Sequence, residues 1–179
     1  MNKEAKMYGL YLGVISIALS GIMYALDLAK IGDQNPVQTF LSLAITVVFM
    51  VLAGLAFKKR NEGFMSFGEG FKTTLGAGIL GAIIGMAWFV VMITVLEPNY
   101  QEQILDATYE QIITQNPDMS DDQIDMAVSM TEKFTSPGWM ITFGLFGAVI
   151  LNLVLALIVA LVLKKNRPIF GTLDSDSAQ

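Results

Sequence analysis

Four stretches of this chain, Met7 to Leu26, Val37 to Phe57, Thr73 to Leu96 and Gly138 to Leu163, contain no Asp, Glu, Lys, Arg or His. A helix that crosses the ~30 Å hydrocarbon core at about 1.5 Å per residue needs roughly 20 apolar residues, because every backbone N–H and C=O must be satisfied within the segment. Each stretch meets that length. With 54% hydrophobic residues, 15% charged and a mean hydropathy of +0.57, the 179 residues are too apolar for an ordinary soluble domain of this size. The expected fold is all-α: a polytopic membrane protein with four transmembrane helices, arranged as two hairpins.

The ends of the stretches set a direction. Lys3, Lys6, Lys58, Lys59, Arg60, Lys72, Lys164, Lys165 and Arg167 fall in the N-terminus, the second loop and the tail, whereas Lys30 and Lys133 are the basic residues of the other two loops. Cytoplasmic flanks retain Lys and Arg during insertion, so both termini and the Lys58 to Lys72 loop are expected inside the cell. Asp27 to Pro36 and Glu97 to Pro137 are then outside. A cleaved signal peptide is the other reading of the first stretch, since Lys3 and Lys6 precede it. The run exceeds a usual signal core, and no clear small-x-small cleavage site follows it before Asp27.

The hairpins share punctuation. Asn35-Pro36 opens the second span and Ser136-Pro137 the fourth, each a cap residue before a proline suited to a first helical turn. Leu55 to Asn61 and Leu161 to Arg167 close them similarly. A parallel duplication explains this, as do the shared needs of any membrane hairpin, which are the simpler account.

Lipid gives helices no hydrophobic reason to associate, so small residues mark where backbones approach. The first span has Gly9 and Gly13, continued by Ser16 and Ser20. The third has Ala77, Gly81 and Gly85 with Gly78 and Ala82 alongside, and the fourth has Gly144, Ala148, Asn152, Ala156 and Ala160 at a spacing of four. Gly9, Gly13, Gly81, Gly85, Gly144, Ala148 and Asn152 are the candidate packing or pore-lining residues. Asn152 is the most polar group near mid-span and calls for a hydrogen bond across helices; a substrate or ion contact is the sharper alternative. Trp88 and Phe89 read as packing or lipid-facing residues and Trp139 as an interfacial anchor. Phe64, Phe67 and Phe71 predict a short helix at headgroup level before the third span.

Residues 97–137 form an acidic segment with nine carboxylates and the single lysine Lys133. Tyr100, Ile104, Leu105, Ile112 and Ile113 recur at helical spacing until Asn116-Pro117-Asp118 breaks the pattern. Ser120 to Gln123 then reads as a capping box for a second helix with Ile124, Ala127, Val128, Thr131 and Phe134 on one face. Two amphipathic helices in the outer loop between spans three and four are expected. Asp118, Asp121, Asp122 and Asp125 cluster, but without the order of a calcium loop; helix capping accounts for Asp118 and Asp121 more simply. The segment would repel nucleic acid. Residues 168–179 are expected to be a disordered cytoplasmic tail of the single membrane domain spanning 1–179.

Phe67-Gly68-Glu69-Gly70-Phe71-Lys72 leading into the third span, Glu97-Pro98 leaving it, and Glu132 to Pro137 leading into the fourth together resemble the bacterial membrane family called domain of unknown function 4199. The resemblance covers nearly the whole chain and implies a four-span protein of the bacterial inner membrane, with no family catalytic residues to carry over.

Chemistry is sparse. Without Cys or His, the chain has no thiolate nucleophile, no disulfide and no imidazole base or ligand. No enzyme activity, cofactor or metal is expected. Ion-coupled carriers usually place an ionisable group in the membrane, and none of the four stretches holds one. A noncatalytic partner-binding or structural membrane component is the favoured reading, with the lipid bilayer and a second copy or another membrane protein as partners. A small oligomeric channel or carrier is the rival.

Overall fold

A computed structural model describes residues 1–26, 28 and 36–168. It is all-helical: α1 Lys3–Ala25, α2 Pro36–Arg60, α3 Phe67–Val91, α4 Tyr100–Gln115, α5 Asp121–Thr135 and α6 Pro137–Leu163, with a π-helical turn, Met92–Leu96, continuing α3. The helices α1, α2, α3 with its π turn, and α6 are long and apolar enough to cross a membrane. Asp27, Lys30, Asn35 and the tail from residue 169 lie outside the described residues.

Local chemistry sets the helix starts. The Asn2 side chain accepts the Ala5 N–H at the head of α1. Ser66 and Glu69 form a capping box at α3, where Glu69 Oε2 accepts from both the Ser66 N–H and its hydroxyl at 2.8 Å. Ser136 precedes Pro137 at α6. Because the cap is Ser66, the expected separate headgroup helix does not form. Phe67 and Phe71 stack on the first turn of α3 itself, and Phe64 stays in the preceding loop.

The third helix is the centre of the bundle. Its largest contacts are with α1 and α6, and α2 touches all three, so α1 packs chiefly on α3 rather than on its sequence neighbour. Glycine is the reason. A Cβ on Gly9 would sit 2.8 Å from the Ala77 carbonyl oxygen, one on Gly13 2.6 Å from Ile84 Cβ, and one on Gly81 2.5 Å from Leu12 Cδ2. Residue numbers rise together along this seam, from the Asn2 Nδ2 to Thr73 Oγ1 bond at 2.6 Å to the Trp88 Nε1 to Ser20 Oγ bond at 3.1 Å, so the two helices run parallel. On the other face, the Thr74 hydroxyl lies 3.5 Å from the Ala156 carbonyl and α6 runs antiparallel to α3.

One end of the bundle gathers the basic residues. There Arg60 Nη1 pairs with Glu4 Oε1 at 3.0 Å, and Lys58 Nζ donates to the Leu163 carbonyl at 3.1 Å. Met65 and Lys165 exchange two backbone hydrogen bonds of 2.8 Å, which ties the segment after α6 to the α2–α3 loop. That loop turns through Glu62 at φ 56° and Gly63 at φ 83°. Gly63 tolerates this backbone because it lacks Cβ; Glu62 adopts it while ion-paired to Arg167 at 3.1 Å. The acidic end carries α4 and α5, which pack on each other and bury none of their residues fully.

Candidate functional site

Helices α2 and α6 are neighbours on one side of the bundle. Between these helices lies a groove of about 490 Å³ lined by Gln38, Thr39, Ser42, Leu43, Thr46 and Leu151. Gln38, Ser42 and Thr46 recur every fourth residue and therefore share one helix face. The Thr46 hydroxyl donates back to the Ser42 carbonyl at 2.9 Å, which satisfies its proton within the helix. Ser42 and Thr39 are exposed. Thr46 follows Pro36 by ten residues, so the stripe ends ~15 Å from the start of α2, about half the thickness of a hydrocarbon core. Sequence reasoning passed over these residues. The signal was present as polar side chains at positions i, i+4 and i+8 in an otherwise apolar span.

One turn deeper, Met50 of α2, Gly78 of α3 and Asn152 of α6 meet. Asn152 is 5% exposed, and a Cβ on Gly78 would overlap both its Oδ1 and the Met50 methyl. The expected hydrogen bond between helices does not form. Asn152 Nδ2 instead donates to the Ala148 carbonyl of its own helix at 2.8 Å, and Oδ1 has no hydrogen-bond partner among the described residues. The neighbours explain this: neither the bare Gly78 backbone nor a thioether brings a side-chain donor to that oxygen.

The candidate residues thus divide between two contacts. Gly9, Gly13 and Gly81 belong to the α1–α3 seam. Asn152 sits at the three-helix junction with Ala148 as its acceptor, while Gly144 is exposed and has only the Met86 methyl, 2.8 Å from where its Cβ would be. Gly85 has nothing within 4 Å of its Cβ position, so no close approach requires it.

A family model described as a protein of unknown function (DUF4199) matches residues 7–165. The chain belongs to the DUF4199 family. No curated protein matches it, and no solved structure does. The match in this DUF4199 protein takes in all the groove residues, the Asn152 junction and the glycines of the α1–α3 seam.

A second polar cluster of the DUF4199 chain holds the acidic end together. The π turn ends with the Glu97 N–H donating to the Met92 carbonyl, and it presents the Glu97 carboxylate to two donors. Tyr24 Oη donates to Oε1 at 2.8 Å and Gln103 Nε2 to Oε2 at 2.9 Å, linking α1, α3 and α4. The Gln103 amide, followed by the Tyr24 hydroxyl, holds the Glu97 carboxyl below the ordinary carboxylate range. Among the described residues no three acidic side chains come together as a metal site.

A lowered folded-state pKa stabilises the structure above the unfolded value, and the gain is lost as pH falls through the folded one. Acidification below the ordinary carboxylate range is therefore expected to release α4 from α1. Amide exchange of residues 97–103 should accelerate at pH 3 relative to pH 7, after correction for intrinsic rates, and Glu97→Gln should remove most of that difference. An unchanged acid response in the variant would show that Glu97 is not the latch.

Proposed function

We propose that this protein is a noncatalytic component of the bacterial cytoplasmic membrane, with both termini in the cytosol, that binds a further transmembrane helix in the groove between α2 and α6. The distribution of Lys and Arg supports the orientation. One observation carries the binding role. Hydroxyl and amide side chains on α2 and Leu151 of α6 line a cavity beside an apolar span, and Gly147, one turn from Leu151, is exposed with nothing within 4 Å of its Cβ position. Polar side chains facing lipid are costly, and small residues are what a second helix packs against. A partner helix supplies both needs at once: it fills the groove and offers a hydrogen-bonding group to the exposed Ser42.

The absence of native cysteine makes a direct test possible. Ser42→Cys or Gly147→Cys, introduced singly and oxidised in native membranes, should give a disulfide-linked dimer if the partner is a second copy. A heterologous partner would instead appear in mild-detergent purification, identified by mass spectrometry and lost in Ser42→Phe. Ile83→Cys, on an exposed part of α3, should do neither. A chain that stays monomeric and solitary in every arm rejects the proposal. The polar stripe also favours a second reading, an outward vestibule of a small channel or carrier with Asn152 beneath it. That reading requires solute flux in liposomes that Asn152→Leu abolishes, and it fails if the wild type conducts nothing.

A further inference from the structure

A second cavity, of about 430 Å³, lies at the basic end where the α2–α3 loop meets the segment after α6. Its volume is within the ordinary range of small-ligand sites, roughly 300–1,000 Å³. Met65, fully buried, helps form it, and the paired backbone bonds between Met65 and Lys165 fix the two walls relative to each other. On one wall Lys165 Nζ and the Arg167 guanidinium stand 5.5 and 5.9 Å from the centre of the Phe64 ring. On the other, Glu69 is oriented by its two hydrogen bonds from Ser66.

The charges select among ligands. Lys165 and Arg167 are opposed by Glu69 within the lining and by Glu62, which pairs with Arg167 at its edge. A simple anion would meet the carboxylates, and a simple cation the ammonium and guanidinium. A zwitterion that places phosphate toward Lys165 and Arg167 and a positive group toward Glu69 matches both walls. Arg167 engages Glu62 and Asn61 through Nη2, and a guanidinium has donors on its other nitrogens to offer a phosphate. Glu69 accepts hydrogen bonds, so a positive group bearing N–H suits it better than a quaternary ammonium.

Position indicates the source of such a group. The cavity begins just after α6 ends at Leu163 and just before α3 starts at Phe67, where apolar helix gives way to basic residues. Exposed Leu161 and Val162 of α6 and Leu55 of α2 lie one to two turns deeper, as surface for acyl chains. We infer that this crevice binds the phosphoethanolamine headgroup of a membrane phospholipid, Lys165 and Arg167 taking the phosphate and Glu69 the ammonium. The inference is independent of what fills the α2–α6 groove.

The test uses the full chain in a mild nonionic detergent, titrated with phosphatidylethanolamine, phosphatidylglycerol and phosphatidylcholine of one acyl length and with soluble phosphoethanolamine. Thermal midpoints and lipid retention in native mass spectrometry are the readouts. Phosphatidylethanolamine should raise the midpoint and bind at least tenfold more tightly than phosphatidylcholine. Lys165→Gln with Arg167→Gln should lose tenfold or more of that affinity, whereas Lys3→Gln with Lys59→Gln, the same charge removed elsewhere, should not. Glu69→Gln retains a capping residue and should abolish the preference for ethanolamine over choline while phosphate binding persists. Equal binding of the two zwitterionic lipids by the wild type, or tighter binding of phosphatidylglycerol, overturns the inference. So does an equal loss in the control variant, or saturation by soluble phosphoethanolamine at the same concentration as the lipid. Should the double variant misfold, the preference measured on Glu69→Gln decides alone.

Discussion

Valine at both Gly9 and Gly13 is expected to force α1 away from α3 and to lower the thermal midpoint of the detergent-solubilised protein by roughly 5–20 °C, taking about 1–3 kcal/mol per overpacked site and a few degrees per kcal/mol. The magnitude follows from what each side chain would strike. At Gly9 the obstacle is the Ala77 carbonyl oxygen, 2.8 Å from the Cβ position, and backbone in the middle of a helix has nowhere to go. At Gly13 it is Ile84 Cβ and Cγ2, both at 2.6 Å, the stiff base of a β-branched residue. Gly85→Val is the matched comparison. It adds the same side chain to α3 where nothing lies within 4 Å, and should stay within about 0.5 kcal/mol of wild type. If the double variant melted with wild type, or no lower than Gly85→Val, the α1–α3 seam would not be what holds the bundle.

The second large effect is an asymmetry at the basic end. The Glu4 side chain is 8% exposed and the Arg60 side chain 53%. Arg60 supplies the partner of Oε1, whereas Oε2 has none among the described residues. Arg60→Ala therefore leaves a nearly buried carboxylate without its ion pair, at an expected cost of about 1–3 kcal/mol; the upper figures for fully buried pairs do not apply, because solvent reaches the guanidinium. Glu4→Gln removes the buried charge itself and should change stability by less than about 1 kcal/mol. The combination Glu4→Gln with Arg60→Ala should recover most of what Arg60→Ala loses, as a double-mutant cycle in one detergent would show. Equal losses from the two single variants would mean that Glu4 is held by packing rather than charge.

Glu4 also marks where reading the chain as text ran short. The uncharged stretch starts at Met7, yet α1 begins at Lys3 and Glu4 pairs with Arg60 of α2. Helical phase decides this, since it turns Glu4 and Lys3 to different sides of the same turn. Asn152 shows the complementary case. Its polarity at mid-span calls for a hydrogen bond across helices; the bond returns instead to Ala148, because the facing position is Gly78. The groove stripe of Gln38, Ser42 and Thr46 was legible as a period of four, but nothing in a linear pattern says that α6 leaves that face uncovered. Likewise Phe67 and Phe71 have the spacing of a helix, and whether it is separate from the third span depends on the cap at Ser66.

The sequence by itself determined that four helices are long and apolar enough for a membrane, where two further helices interrupt them, and which family the chain belongs to. These are consequences of local composition, because a backbone in hydrocarbon must satisfy its own hydrogen bonds within each segment. Only the tertiary structure decided that α3 is the central helix, that α1 lies parallel to it, and that α2 and α6 leave between them a groove bearing hydroxyl and amide side chains. Among helices that are all apolar, partner choice rests on close steric fit at a few glycines, and such fit is a property of two surfaces together rather than of either one.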